Sequence, residues 1–367
     1  MIEVTEAKTD REIKEFIKFP FELYKNDPFY SPELIKDQKE HFSPANPFFK
    51  NAAVRFFLAR KGGKTVGRVT SIINQQHIRF HNEKAGFFGF FESHNDPDIA
   101  NILLDTVSKD LMEAGMTVMR GPMDFSTNEQ CGFLMEGFHE PPMLMTPYNP
   151  PYYSSLMQQC GMTKAKDLLA FIVDIPEKLP EKVLRVARLA ERRGIKIRQI
   201  EKKRFSEELH AFKEVYNDAW NTNWGFIPLT DDDLEYLGKR LKPIAPPEMT
   251  LIAEKDGEPV GFLGLLPDFN FLLRKMKGRL TAISILKALY YQRTITDLRL
   301  LLLGVKSEYR HRGVDALMFK EAFKAARKRH KRVEMSWILE DNEPVIRIIE
   351  MFGSNLYKKY RIYEKTI

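Results

Sequence analysis

Two stretches of this chain repeat one another without a gap. VRFFLARKGGKTVGRVTSII, from Val54, and MTLIAEKDGEPVGFLGLL, from Met249, each read as two strands joined by a Gly-containing turn. Ala59 aligns with Ala253, Gly63 with Gly257, Val66 with Val260 and Gly67 with Gly261, all at one offset. One such hairpin is common and says little. Two at one offset, in the same place within their halves, point to an internal duplication.

The halves also close alike. YNPPYYSSLMQQCGMTKAKDLLAFIVDI, around Asn149, and DNEPVIRIIEMFGSNLYKKYRIYEK, around Asn342, each hold an Asn and a Pro, a short helix, a glycine and a β-rich tail. The glycine supplies the left-handed residue that ends the helix. With 367 residues the chain can build two cores. The expected division is a first domain over 1–175, a linking helix within 176–204 and a second domain over 205–367. Between hairpin and tail the halves diverge. The proline- and aromatic-rich stretch before residue 50 packs on a domain surface or covers a ligand as a lid.

Composition narrows the function classes. Charged residues make up 29% of the chain with both signs interspersed, which argues against disorder. The formal charge of +7 suits an anionic ligand and is too small to argue for nucleic acid by itself. The basic runs RRGIKIRQIEKKR and RKRHKR lack interleaved aromatics and read as solvated helix faces. Two cysteines, Cys131 and Cys160, imply no disulfide framework. His77 and His81 have helical ligand spacing but no third partner, so no metal is expected. GxSxG is absent, which leaves a serine hydrolase unsupported. The N-terminus is charged from the start and no apolar run can span a bilayer. A soluble cytoplasmic protein with no membrane or nucleic-acid partner is expected.

The segment that speaks most directly to chemistry is LRLLLLGVKSEYRHRGVDALMFKEAFKAARKRH. Leu298–Val305 is a continuous apolar run, a buried strand. A basic turn follows, and a helix begins near Gly313. Free N–H groups at a helix start and the helix dipole favour an anion there, Arg310 and Arg312 add charged donors, and Gly313 permits close backbone approach.

Here the chain resembles the GNAT acyltransferase superfamily, whose signature has Arg or Gln, two residues, Gly, one residue, then Gly or Ala. Arg310, Gly313 and Asp315 occupy those places. The resemblance covers most of residues 205–363 and, more faintly, 50–175. It implies an α/β (α+β) fold with two mixed, mostly antiparallel sheets flanked by helices. It also implies acyl-CoA, with acetyl-CoA first, as co-substrate. Arg310, His311, Arg312, Gly313, Val314, Asp315 and Ala316 would then surround the pyrophosphate. Leu303, Val305 and Asn342 would line the pantetheine arm, and Asn342 would also cap its helix.

Two positions depart from the pattern. Asp315 replaces the last small residue of the signature, and Ile349 stands where family members often carry the tyrosine that protonates the leaving thiolate. Tyr357, Tyr360 or Tyr363 could substitute, and Tyr357 is the leading candidate. Asp268, after a strand, is either a general base or a turn initiator. Trp220 and Trp224 either pack or wall an acceptor pocket. The first half has HNDPDIANILL where the phosphate turn would be, and this acidic stretch reads as a degenerate partner that shapes that pocket. Two functions follow. The chain is an N-acetyltransferase acting on the amine of a small molecule or peptide, or an acyl-CoA or metabolite binder that has lost the chemistry.

Overall fold

The computed structural model describes every residue, Met1–Ile367. The chain opens with β1 (Ile2–Glu6), α1 (Asp10–Leu23) and α2 (Ile35–His41). The first hairpin is β2 (Ala52–Lys61) and β3 (Lys64–Asn74), followed by α3 (Gln75–His81) and β4 (Ala85–Ser93). Helix α4 (Pro97–Glu113) leads to β5 (Val118–Gly121), β6 (Phe133–Glu136), α5 (Tyr153–Gln159) and β7 (Thr163–Asp174).

The next stretch forms α6 (Glu181–Arg192), β8 (Ile195–Gln199), α7 (Phe205–Ala219) and α8 (Asp231–Leu241). The second hairpin is β9 (Thr250–Lys255) and β10 (Glu258–Pro267), then α9 (Asn270–Met276) and α10 (Ala282–Tyr291). The chain ends with β11 (Asp297–Val305), α11 (Val314–Ala326), β12 (Arg332–Leu339), α12 (Glu343–Glu350) and β13 (Asn355–Thr366).

Two compact units result, and neither is one continuous stretch of chain. The first holds Met1–Leu168, Phe269–Arg293 and Lys358–Ile367; the second holds Leu169–Asp268 and Thr294–Tyr357. Each is a mixed, mostly antiparallel sheet flanked by helices, as the sequence led us to expect. In the first, the strand order is β1-β2-β3-β4-β5-β13, with β6 also on β13, and only β4–β5 is parallel. Phe57, Val69, Phe88, Leu103 and Val107 form its core against α4. In the second the order is β7-β12-β11-β10-β9-β8; β11–β12 is parallel, and β8–β9, β9–β10 and β10–β11 are antiparallel.

The second unit buries both faces of its sheet. One face packs on α6 and α11 through Val183, Ala187, Leu263, Leu300 and Leu317. The other packs on α7 and α8 through Phe212, Val215, Leu234 and Phe262. Residues 176–204, expected as a linker, are integral here. The apolar stripe of α6 must be covered, and α11 covers it; β8 then extends the sheet beside β9. Residues 269–293 group with the first unit although they interrupt the second half in sequence. The side-chain amide of Asn270 donates to the Pro142 and Met143 carbonyls there. Similarly, the last strand beyond Lys358 belongs to the first unit, and residues 169–174 of β7 to the second.

Candidate active site

The second unit brings the basic turn after Val305 and the strand before it into one framework. Strand β11 carries a bulge. Leu302 faces Gly264 and Leu300 faces Leu265, so Leu301 is the extra residue. On its other edge the ladder with β12 ends at Leu300 opposite Met335. Bulge and strand divergence therefore coincide. From Leu301 onward, including Leu303 and Val305, the edge of β11 that had faced β12 is released from that ladder. Its main-chain groups are available to an extended ligand arm, and bulges characteristically re-aim such groups.

Beyond Val305 the chain is clamped to α7. The Ser307 N–H donates to Asp218 Oδ1 at 2.5 Å, Lys306 pairs with Glu214, and the Lys306 N–H bonds the Val260 carbonyl at 3.0 Å. Arg310 donates from Nη2 to the Ala219 carbonyl at 2.6 Å. One of its donors is thus engaged at the C-terminus of α7, where a cation also complements the helix dipole. His311, at φ 60°, and Gly313, at φ 81°, turn the chain into α11. A Cβ on Gly313 would lie 2.7 Å from Val186 Cγ1 and 2.8 Å from the Val186 carbonyl oxygen. Glycine is required twice over, by backbone conformation and by the nearness of α6.

Helix α11 starts with no side chain capping it. Its first amides, on Val314, Asp315 and Ala316, precede the first intrahelical bond, Leu317 N–H to the Gly313 carbonyl at 3.0 Å. Val314 and Ala316 turn into the core, whereas Asp315 is half-exposed. The exposed Arg312 stacks over Tyr309 at 5.1 Å, and its carbonyl accepts from Arg193. The helix start is fit to hold an anion, with His311 and Arg312 exposed beside it.

The remaining expected residues fall in different places. Asn342 precedes α12, but its side chain makes no cap; its carbonyl instead accepts from Val345 and Ile346. The sequence expectation of a capping side chain is therefore corrected, because the residue's ψ of 61° departs from the extended geometry of a capping residue. Ile349 is buried in the core at 2% exposure. Trp220 ends α7 with its ring against Tyr216 and 3.8 Å from a Cβ built on Gly304. Trp224 is half-buried in the following loop. Asp268 is buried, and its N–H donates to the Asp297 carbonyl at 2.9 Å. That puts it level with the start of β11, four residues (about 13 Å of strand) short of the bulge.

The Tyr357 hydroxyl has a partner that the sequence does not show. It donates to Glu334, which is fully buried on β12. Glu334 also accepts from Ser336 at 2.5 Å and lies 3.6 Å from the buried Arg299 guanidinium. Arg299 pairs with Glu334 across the ladder, one residue before it opens. The signal was present: one charged residue inside each of two apolar strands, LRLLLL and VEMSWIL. A charge buried there must be matched, and only the register reveals that these two match each other.

The bulge also adjoins an apolar pocket that is open on one side. Phe212 and Leu209 of α7, Leu237 and Leu241 of α8, and Phe262 of β10 line it, and Leu301 and Leu302 form its wall at the bulge. Glu208 is its main polar neighbour, and that carboxylate is held by Arg198 at 2.8 Å. Nothing in the sequence pattern distinguished these residues from ordinary core.

Comparison with known proteins addresses the family. Residues 209–353 match the model of the acetyltransferase (GNAT) family. The chain is 33% identical over 363 residues to Protein YghO of Escherichia coli (strain K12), covering 97% of this chain and 93% of that protein. It is 32% identical over 375 residues to the bacterial ceramide synthase of Caulobacter vibrioides, covering 100% and 98%. Among solved structures, a tandem GNAT protein from the clavulanic acid biosynthesis pathway superposes with TM-score 0.60 at 11% identity, covering 100% of this chain and 98% of that one. A GCN5-related N-acetyltransferase from Sphaerobacter thermophilus gives 0.52 at 12%, covering 100% and 95%. The open strand pair, the uncapped helix start and these relatives together make the chain a member of the GNAT acyltransferase family, with two GNAT-like halves.

Proposed function

We propose that the protein transfers a long acyl group from coenzyme A to the amine of a lipid-like acceptor, forming an amide. The observation that carries the reading is the apolar cavity whose wall includes the bulge residues Leu301 and Leu302. An acyl carbonyl held at the bulge has an apolar space beside it for its chain. Acetyl transfer, the first expectation from sequence, would leave that space unused. The relative named bacterial ceramide synthase supports the same reading, since a ceramide is an amide between a fatty acyl group and a long-chain amine.

In this mechanism the coenzyme A pyrophosphate rests on the N-terminus of α11, beside His311 and Arg312. The pantetheine arm runs along the opened edge of β11 at Leu303 and Val305. The neutral amine attacks the thioester carbonyl carbon, and a main-chain N–H at the bulge stabilises the oxyanion. The C–N bond forms, the C–S bond breaks, and the thiolate takes a proton while the new amide nitrogen loses one. Tyr357, held on Glu334, is the favoured proton carrier, because Glu334 lies nearer the bulge in register than Asp268 does. Trp220 is the candidate wall for the acceptor.

The test is a series of acyl-CoAs with a long-chain amine. Each two-carbon extension should raise kcat/KM by about tenfold until the cavity is full, at about 0.8 kcal/mol per buried methylene. Leu237→Trp should move the optimum to shorter chains. A preference for acetyl-CoA that Leu237→Trp leaves unchanged would sink the proposal. A catalytically silent acyl-CoA binder is favoured by one observation, the buried Ile349 in place of the family's tyrosine; binding without turnover across the whole series would establish it.

A further inference from the structure

Helix α10 is built inside out. A surface helix ordinarily shows charged residues to water and hides its apolar stripe. Here Ser284 is the one fully buried residue, with Ala288 and Tyr291 half-buried beside it on the same face. The opposite face carries Ile283, Ile285, Leu286, Leu289 and Tyr290, exposed by 68%, 43%, 66%, 54% and 71%. With Leu280 these are six of the chain's twelve exposed large hydrophobic side chains. Scattered exposed leucines are normal, but a contiguous patch marks a surface that meets something apolar.

The helix is well specified. Thr281 and Ser284 form a reciprocal capping box, and Ser284 Oγ donates to the Arg279 carbonyl at 2.7 Å. The preceding α9 is anchored within the first unit. Arg274 donates to Ser31 at 3.0 Å, and the Gly278 carbonyl accepts from Ile35 at 3.1 Å. A Cβ on Gly278 would meet the Phe21 ring at 2.4 Å. The apolar face is thus presented on a fixed support.

Charge decides what covers it. Residues 269–296 contain Arg274, Lys275, Lys277, Arg279, Lys287 and Arg293 and no Asp or Glu. That is +6 of the chain's formal +7 in one segment. A second copy meeting this face would bring equal positive charge to it. An acidic bilayer satisfies both features, since apolar side chains enter the acyl boundary while lysine and arginine meet anionic headgroups. We infer that the 269–293 insertion docks the protein on the surface of an anionic lipid bilayer. That no apolar run is long enough to span a bilayer leaves open a helix that lies on its surface. The inference does not depend on the acyl-transfer reading, and its test needs no turnover.

The experiment is co-sedimentation of the full chain with vesicles of phosphatidylcholine alone, or with about one-third phosphatidylglycerol. The wild-type chain should bind the anionic vesicles at least about tenfold more tightly than the neutral ones. Leu286→Asp combined with Tyr290→Asp should weaken that binding by at least about tenfold with unchanged thermal unfolding, since both side chains are exposed. Lys277→Glu with Lys287→Glu should weaken binding to the anionic vesicles alone. No sedimentation of the wild type, or equal sedimentation of the aspartate variant, overturns the inference. So does a wild-type dimer in solution that the aspartate variant converts to monomer.

Discussion

The two halves carry the same strand-turn-helix element, and they differ in who occupies it. Each has a bulge in the strand before the helix. In the first half Thr70 faces Gly89 and Arg68 faces Glu92, which leaves an extra residue on β4, as Leu301 is extra on β11. In the first half the Phe90 N–H at that bulge donates to Asp124 at 2.6 Å. The start of α4 is capped by Asp96, whose carboxylate accepts from the Asp98 N–H at 3.0 Å and pairs with Lys61. Phe42, Phe56 and Phe125 crowd around Phe90 and its neighbours. In the second half the corresponding helix has no side-chain cap, and a cavity opens beside the bulge. One copy has supplied its own carboxylates where the other leaves the helix start without a side-chain cap and keeps a pocket beside the bulge. Duplication preserves the backbone frame; side chains decide whether the frame is a site.

Four substitutions would break or sharpen this contrast. Gly313→Ala should have the largest effect. It forces a side chain into the left-handed region and against the α6 backbone, at about 2–5 kcal/mol together. Chemical unfolding should therefore report lost stability as well as lost acyl-CoA binding; lost binding at full stability would assign the glycine to the ligand alone.

Asp124→Asn comes next. Burial pushes the Asp124 carboxyl up to about 7 from an ordinary 3.8, against the opposing pull of the Phe90 N–H. The folded value lies above the unfolded one, so the ionised form is the destabilised one. Stability is greatest below about pH 4 and declines as pH rises to about 7, by at most about 4 kcal/mol. Asparagine still accepts the Phe90 N–H and should remove that part of the slope. Parallel stability curves for both proteins from pH 4 to 8 would show that Asp124 is ionised throughout.

Arg312→Glu places a carboxylate near the start of α11, as the first half already has at α4. The KM for acyl-CoA should rise by about tenfold with little change in kcat. An unchanged KM would move the phosphate site elsewhere. The smallest effect belongs to Asp96→Ala, which should cost about 1 kcal/mol of stability through the lost cap and leave acyl-CoA kinetics untouched. Any change in those kinetics would mean that the first half takes part in binding the co-substrate.

Much of this was legible from the chain. Gap-free hairpins at one offset disclosed the duplication, because strand register and turn geometry fix residue spacing. The run from Leu298 through Gly313 disclosed a strand, a tight turn and a helix start, because a buried strand, a positive-φ glycine and a helix start are local events. The acidic HNDPDIA stretch placed a carboxylate at the start of α4 for the same reason. All of these depend on neighbours within a few residues.

What stayed hidden depends on partners far apart in sequence. Arg299 and Glu334 each look misplaced in an apolar strand until the parallel register sets them side by side and Tyr357 joins them. Nothing near Arg310 in the sequence shows that the Ala219 carbonyl takes one of its donors. Leu237, Leu301 and Phe262 are apolar residues like any others, and only packing leaves a void among them. Leu280–Tyr290 is apolar in composition, and its exposure appears only when no element covers it. Local propensity and spacing are properties of the sequence alone; the pairing of buried charge and the coverage of apolar faces are settled by tertiary structure, because each is defined by what lies opposite.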